Sequence, residues 1–111
     1  MSWDTGLRPE LRPYFVALVQ YLQRLDPGAR VTSARRSRAE QARLYRRWQM
    51  GLMPGPVAPP GLSYHEYGRA IDVDASKSAL RTAAEWWESI GGVWGGHFKG
   101  SGKYDPIHFQ A

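Results

Sequence analysis

The chain has 111 residues, 42% of them hydrophobic and 23% charged, with no cysteine and a formal net charge of +5. That length bounds one domain, residues 1–111, with a single modest core, and the composition excludes a disordered tract. Without cysteine there are no disulfide staples and no thiolate metal sites, so any metal must take nitrogen and oxygen ligands.

The first 30 residues carry one amphipathic pattern. Leu11, Tyr14, Phe15, Leu18, Leu22 and Leu25 recur at helical spacing, predicting a helix over 10–25 that "DPG" ends. Its longest apolar run, "YFVALV", is far short of the roughly 18 residues needed to cross a membrane, so no membrane insertion is expected. The opening "MSWDTGLRPEL" has neither a basic flank nor an apolar core, so synthesis in the cytoplasm without a signal peptide is expected.

"RVTSA" reads as a short strand. In "SRAE", Ser37 and Glu40 form a capping box that starts a second helix, with Ala42, Tyr45 and Trp48 as its buried stripe and Gly51 as its stop. Arginine outnumbers lysine twelve to three, and much of the charge lies in "RRSRAEQARLYRR". Such a domain attracts polyanions in general: nucleic acid, anionic lipid or an acidic cell wall. Helical spacing spreads Arg38, Arg43, Arg46 and Arg47 over solvated faces, and a buried Tyr45–Trp48 stripe argues against a nucleic-acid surface.

Residues 51–62, "GLMPGPVAPPGL", form a long loop of the kind that is often functional. "AIDVD" then alternates, with Ile71 and Val73 on one face and Ala70, Asp72 and Asp74 on the other. A third helix is predicted over 77–90, with Leu80, Ala83, Ala84, Trp87 and Ile90 inward and "GG" at its end. A glycine-rich loop or hairpin follows, then a terminal strand, "PIHFQ", in which Ile107 and Phe109 oppose His108 and Gln110. There is no internal repeat. Helix, strand, helix, loop, strand, helix, strand is the order of an α+β domain with a small sheet packed on helices.

Two strands thus each offer a polar side chain from an apolar frame. His65 and Asp72 flank Gly68 in "SYHEYGRAID", and "DPIHF" sets His108 three residues after Asp105. One reading is a two-histidine, one-carboxylate zinc site. The other is ordinary: a solvated histidine, a strand-end aspartate and an Asp-Pro turn. "HEYGR" is no H-E-x-x-H helix, because Arg69 stands where the second histidine belongs, and Glu66 is expected to face solvent.

"SYHEYGRAID" fits S-x-H-x-x-G-x-A-x-D, and "DPIH" fits the later [DE]-x-x-H. Together with "VTSARRSRAEQARLY" and "WGGHF…YDPIHFQ", they resemble the VanY-type zinc peptidoglycan peptidases, D-alanyl-D-alanine carboxypeptidases and L-alanyl-D-glutamate endopeptidases, over about residues 31–110. The resemblance implies a Hedgehog/DD-peptidase-type fold, a small antiparallel sheet packed on about three helices. It implies one Zn2+ held by His65, Asp72 and His108. Asp105 becomes the general base that takes a proton from water and later protonates the leaving amine. Arg36 aligns with an arginine that holds substrate carboxylate or stabilises the oxyanion. Ser63 is a supporting hydrogen bonder. Ala34 and Arg35 replace a glycine and an aromatic, so Arg35 is a second candidate for the role of Arg36. His97 stands in place of an aspartate after W-G-G and is a candidate for substrate contact or the rim.

The expected function is therefore endolysin-like cleavage of peptidoglycan stems between L-Ala and D-Glu, by a monomer drawn to an anionic envelope and delivered through a membrane pore or on a phage particle. The alternatives are a D-alanyl-D-alanine carboxypeptidase and a non-catalytic zinc- or wall-binding module of the same fold. A module of that kind would be expected to have lost Asp105 or a ligand, and all four residues are present.

Overall fold

The computed structural model describes residues 2–100 and 102–111. Three helices, α1 (Arg12–Leu25), α2 (Arg38–Gln49) and α3 (Lys77–Ser89), accompany four strands, β1 (Arg30–Ser33), β2 (Ala70–Asp74), β3 (Val93–Trp94) and β4 (His108–Gln110). The sheet is antiparallel in the order β1-β2-β4-β3, so the last strand inserts beside β2 and leaves β3 at the edge. The architecture is α+β, as the order of elements predicted. Among the described residues no helix is long and apolar enough to cross a membrane.

The core lies between one face of the sheet and the α1–α3 pair. Phe15, Leu18 and Leu22 of α1 meet Ala83, Ala84 and Trp87 of α3 over Ile71, Val73 and Phe109. Trp87 is 1% exposed, and its indole N–H donates to the carbonyl of Gln110, tying the helix layer to β4. Truncating a buried aromatic of this kind costs about 3–5 kcal/mol. Three side chains expected inside lie at the margin instead: Tyr14, Leu25 and Ile90 are exposed, because α1 and α3 bury a narrower stripe than their apolar residues span.

The second helix differs more. Ser37 caps it as expected, its Oγ accepting the Glu40 N–H at 3.1 Å. Its buried residue, however, is Gln41; Ala42, Tyr45 and Trp48 are only half-buried and stand outside the core cluster. This helix leans on the proline-rich loop rather than on the sheet, and its aromatic stripe lines a groove. Tyr45 and Trp48 therefore give no argument against a ligand surface.

Candidate metal centre

His65 lies in a short 3-10 turn, Tyr64–Tyr67. Ser63 Oγ accepts the His65 N–H at 3.2 Å, and the Glu66 carboxylate accepts the N–H groups of Ser63 and Gly61 at 3.1 and 2.9 Å. Glu66 is accordingly 8% exposed rather than solvent-facing: it closes the loop onto the turn instead of solvating its surface. Gly68 ends the turn at φ 67°, and its backbone lies so close to Gly6 and Arg8 that a Cβ would collide with both. Residues 34–36 then fix the histidine. Its carbonyl accepts the Arg36 N–H at 3.0 Å, and its Nδ1 lies 2.7 Å from the carbonyl of Ala34.

Asp72 and His108 are direct cross-strand partners in the β2–β4 register. The turn before His108 is braced by the W-G-G segment. Trp94 Nε1 donates to the carbonyl of Pro106 at 2.7 Å, and the Asp105 N–H donates to the carbonyl of Gly95 at 2.9 Å. Gly95 has to be glycine, because a Cβ there would overlap the Asp105 carbonyl. The spaced motif "WGG…DPIH" is thus one structural unit.

These supports bring His65 Nε2 to 3.3 Å and His108 Nδ1 to 3.1 Å from the same oxygen, Asp72 Oδ1. One donor atom from each of the three residues lies within 4.8 Å of the others. The remaining ring nitrogens are engaged, His65 Nδ1 with Ala34 and His108 Nε2 with Gln110 Oε1 at 2.7 Å. Outer partners of this kind fix tautomer and ring orientation, so the donor set fits a divalent ion held by His65 Nε2, Asp72 Oδ1 and His108 Nδ1.

Burial alone would raise the Asp72 pKa, but hydrogen bonds from His108 and His65 together outweigh it and hold the carboxyl well below its usual range. Burial opposes protonation of His108, yet its hydrogen bonds to Asp72 and Gln110 leave its pKa raised. Asp105 is pushed up by burial first and by the Asp72 charge second, against His108, His65 and Arg36.

Asp105, Arg36, Ser63, His65, Asp72 and His108 all line one pocket of about 340 Å³. Arg36 is held there by three acceptors: Nε on Ser33 Oγ at 3.1 Å, one terminal nitrogen on Gln41 Oε1 at 3.1 Å, the other on Asp72 Oδ2 at 3.3 Å. Two candidates stand elsewhere. Arg35 is exposed, with its stem against Gly6, and His97 is exposed and bonded to Glu88 at 2.8 Å. Neither lines the pocket. Two glutamines were given no role from sequence. Gln110 meets His108, and the buried Gln41 links Arg36 to the carbonyl of Ala58 at 2.8 Å. Gln110 was legible as the same-face neighbour of His108 two residues along a strand; Gln41 had as its signal its place as the glutamine of the family-like segment "VTSARRSRAEQARLY".

The sequence matches the VanY family, described as D-alanyl-D-alanine carboxypeptidase, over residues 4–91. The chain belongs to that family of peptidoglycan peptidases. The matched stretch includes His65 and Asp72; Asp105 and His108 lie beyond it and reach the site through the sheet. No curated protein matches the sequence. Among solved structures, the Serratia marcescens L-Ala D-Glu endopeptidase ChiX is 22% identical, with 96% of this chain and 81% of that one covered and a TM-score of 0.63. The D,D-pentapeptidase VanY of a VanB-type resistance cassette, solved in complex with Zn(II), is 16% identical over 94% of this chain and 71% of that one, with a TM-score of 0.68. The LD-carboxypeptidase LdcB is 22% identical over 98% and 67%, with a TM-score of 0.71. At these identities the likeness establishes a shared fold, that of the DD-peptidase type.

Proposed function

We infer that the protein is a zinc-dependent endopeptidase that hydrolyses the L-alanyl-D-glutamate bond of peptidoglycan stem peptides. The observation that carries this reading is the convergence of His65 and His108 on one oxygen of Asp72, with Asp105 and Arg36 lining the same pocket. When bound by that donor set, Zn2+ supplies Lewis acidity, polarising a carbonyl and making water a nucleophile at neutral pH.

The chain's own residues do the rest. Asp105 takes a proton from the attacking water and delivers it to the amine nitrogen as the C–N bond breaks. Burial has moved its pKa upward, toward the range in which one carboxyl both accepts and donates. Arg36 uses three of its five N–H donors on Ser33, Gln41 and Asp72, which leaves two for a substrate carboxylate in a fixed orientation. Ser63 holds the turn that presents His65, its Oγ accepting the His65 N–H.

The choice of bond rests on the "WGGHF…YDPIHFQ" ending, which resembles the endopeptidase members, and the fold is one that an L-Ala D-Glu endopeptidase uses in ChiX. The family's description favours a second reading, D-alanyl-D-alanine carboxypeptidase. The net charge of +5 favours approach to an anionic envelope.

Mass spectrometry of purified peptidoglycan after digestion by zinc-loaded protein tests the reading, beside Asp105→Ala and EDTA-treated controls. Fragments split between L-Ala and D-Glu, absent from both controls, are expected. Released D-Ala would replace this activity with the carboxypeptidase. No cleavage of several wall types, despite stoichiometric zinc, would leave a non-catalytic wall-binding module.

A further inference from the structure

Beside the candidate metal centre a second concavity, about 780 Å³, runs between α2, the loop at 54–59, Phe98 and residues 102–105. Four aromatic side chains line it, Tyr45 and Trp48 from α2 and Phe98 and Tyr104 from the loops, beside the apolar 54–59 loop. The two rings of α2 stand 5.8 Å apart, tilted at 52°, and the loop backbone at Gly55 lies against the Trp48 indole. Tyr104 is 63% exposed. The groove is continuous with the catalytic pocket, since Phe98, Asp105 and residues 54 and 56–58 line both, and Phe98 packs 5.8 Å from the His108 ring.

The chemistry of the lining changes along this path. The pocket end holds Arg36, suited to a carboxylate. In the groove, among the described residues, the charged groups are Asp105 at the junction and Lys103. A ligand there is therefore mainly uncharged and has apolar faces that lie on rings, with polar groups at its rim for the tyrosine hydroxyls, the indole N–H and Lys103. The volume falls within the range for drug-sized ligands, roughly 300–1,000 Å³.

We propose that this groove binds an N-acetylated sugar of the glycan strand, seating the muramic acid unit next to the scissile bond. An amino sugar has the required form: a C–H face that stacks on an aromatic ring, an acetamido methyl, and hydroxyls around its edge. Muramic acid that bears a stem peptide carries its lactyl carboxyl as an amide, so it brings no negative charge. L-Ala is attached directly to that lactyl group, so a sugar in the groove leaves the L-Ala carbonyl one residue away, beside Asp105. The proposal rests on the endopeptidase reading for its placement and explains why such an enzyme would carry an aromatic wall on this side.

The test uses the zinc-loaded full chain and the peptide-free disaccharide N-acetylglucosaminyl-N-acetylmuramic acid with its lactyl carboxyl capped as the methylamide, uncharged as in the intact strand, followed on the Trp48 indole N–H resonance. The disaccharide has no stem peptide bond, so its binding is read independently of which bond the enzyme cuts. A saturating shift of that resonance is expected. Tyr104→Ala, an exposed position whose loss leaves the core intact, is expected to weaken binding about tenfold, the effect of one lost aromatic face, as read on the same resonance. An unmoved Trp48 resonance, or unchanged affinity in Tyr104→Ala, would overturn the proposal. So would a larger response to a sugar-free stem pentapeptide, which would assign the groove to peptide. Disaccharide binding together with D-Ala release from stems would remove the endopeptidase reading and leave the sugar site standing.

Discussion

Asp72 and His108 face each other across β2 and β4, with Asp72 Oδ1 3.1 Å from His108 Nδ1. The neighbouring pair, Ile71 and Phe109, points the opposite way and is wholly buried. A one-residue slip of β4 would send His108 into the core and Phe109 into the pocket, so core packing is what sets the geometry of the candidate donor set. Asp72→Asn keeps the shape and the sheet while removing the charge on which both imidazoles converge. Its zinc affinity is expected to fall by more than the roughly 10–100-fold that loss of an outer partner costs, with little change in far-ultraviolet circular dichroism. Competition against a chromophoric chelator measures it. Retained affinity would place the ion elsewhere.

Gln110 orients His108 from behind, through Nε2 at 2.7 Å. Gln110→Leu removes that acceptor and is expected to weaken zinc binding roughly 10–100-fold, and Gln110→Glu, which keeps a carbonyl-type acceptor, to restore most of it. A leucine variant with wild-type affinity would make the contact incidental.

The strands and the site were legible for one reason and the groove was missed for another. "AIDVD" and "IHFQ" alternate between core and polar residues, so the facing of Asp72 and His108 follows from the side-chain period of two. Their pairing across the sheet does not, since strand order depends on contacts far apart in sequence. Helix α2 shows the limit of periodicity. Tyr45 and Trp48 recur as a stripe, but a stripe states only that one face is covered, not whether the cover is the core or a proline-rich loop beside a cleft. Glu66 fails likewise: a lone acidic residue after histidine looks solvated until the two N–H groups it accepts are brought to it by the loop.

Those N–H groups give the third prediction. Glu66→Ala strips the acceptor from Gly61 and Ser63 and removes half of the capping box, at a cost of about 1–3 kcal/mol. At about 4–8 °C per kcal/mol for a domain of this size, thermal unfolding should show a clear drop. Glu66→Gln, which keeps one acceptor oxygen, should lose less. Equal losses in the two variants would mean that the charge, and its pairing with Arg38 at 3.6 Å, matters more than the hydrogen bonds.

Arg36 separates holding from charge. Its guanidinium meets three acceptors on three different segments, a geometry that one ammonium on a flexible stem cannot reproduce. Arg36→Lys keeps the charge but leaves the buried Gln41 oxygen short of a donor and offers the substrate no fixed fork. The loss of hydrogen bonds to a charged group, about 1.5–3 kcal/mol, corresponds to a decrease in kcat/KM of roughly 10–100-fold. Zinc stoichiometry should stay at one ion per chain, because His65 and His108 keep their outer partners, Ala34 and Gln110, and the lysine keeps a positive charge beside Asp72. Steady-state cleavage of a soluble muropeptide, with metal content measured on the same sample, checks both halves. A lysine variant of full activity would show that Arg36 serves only to neutralise Asp72.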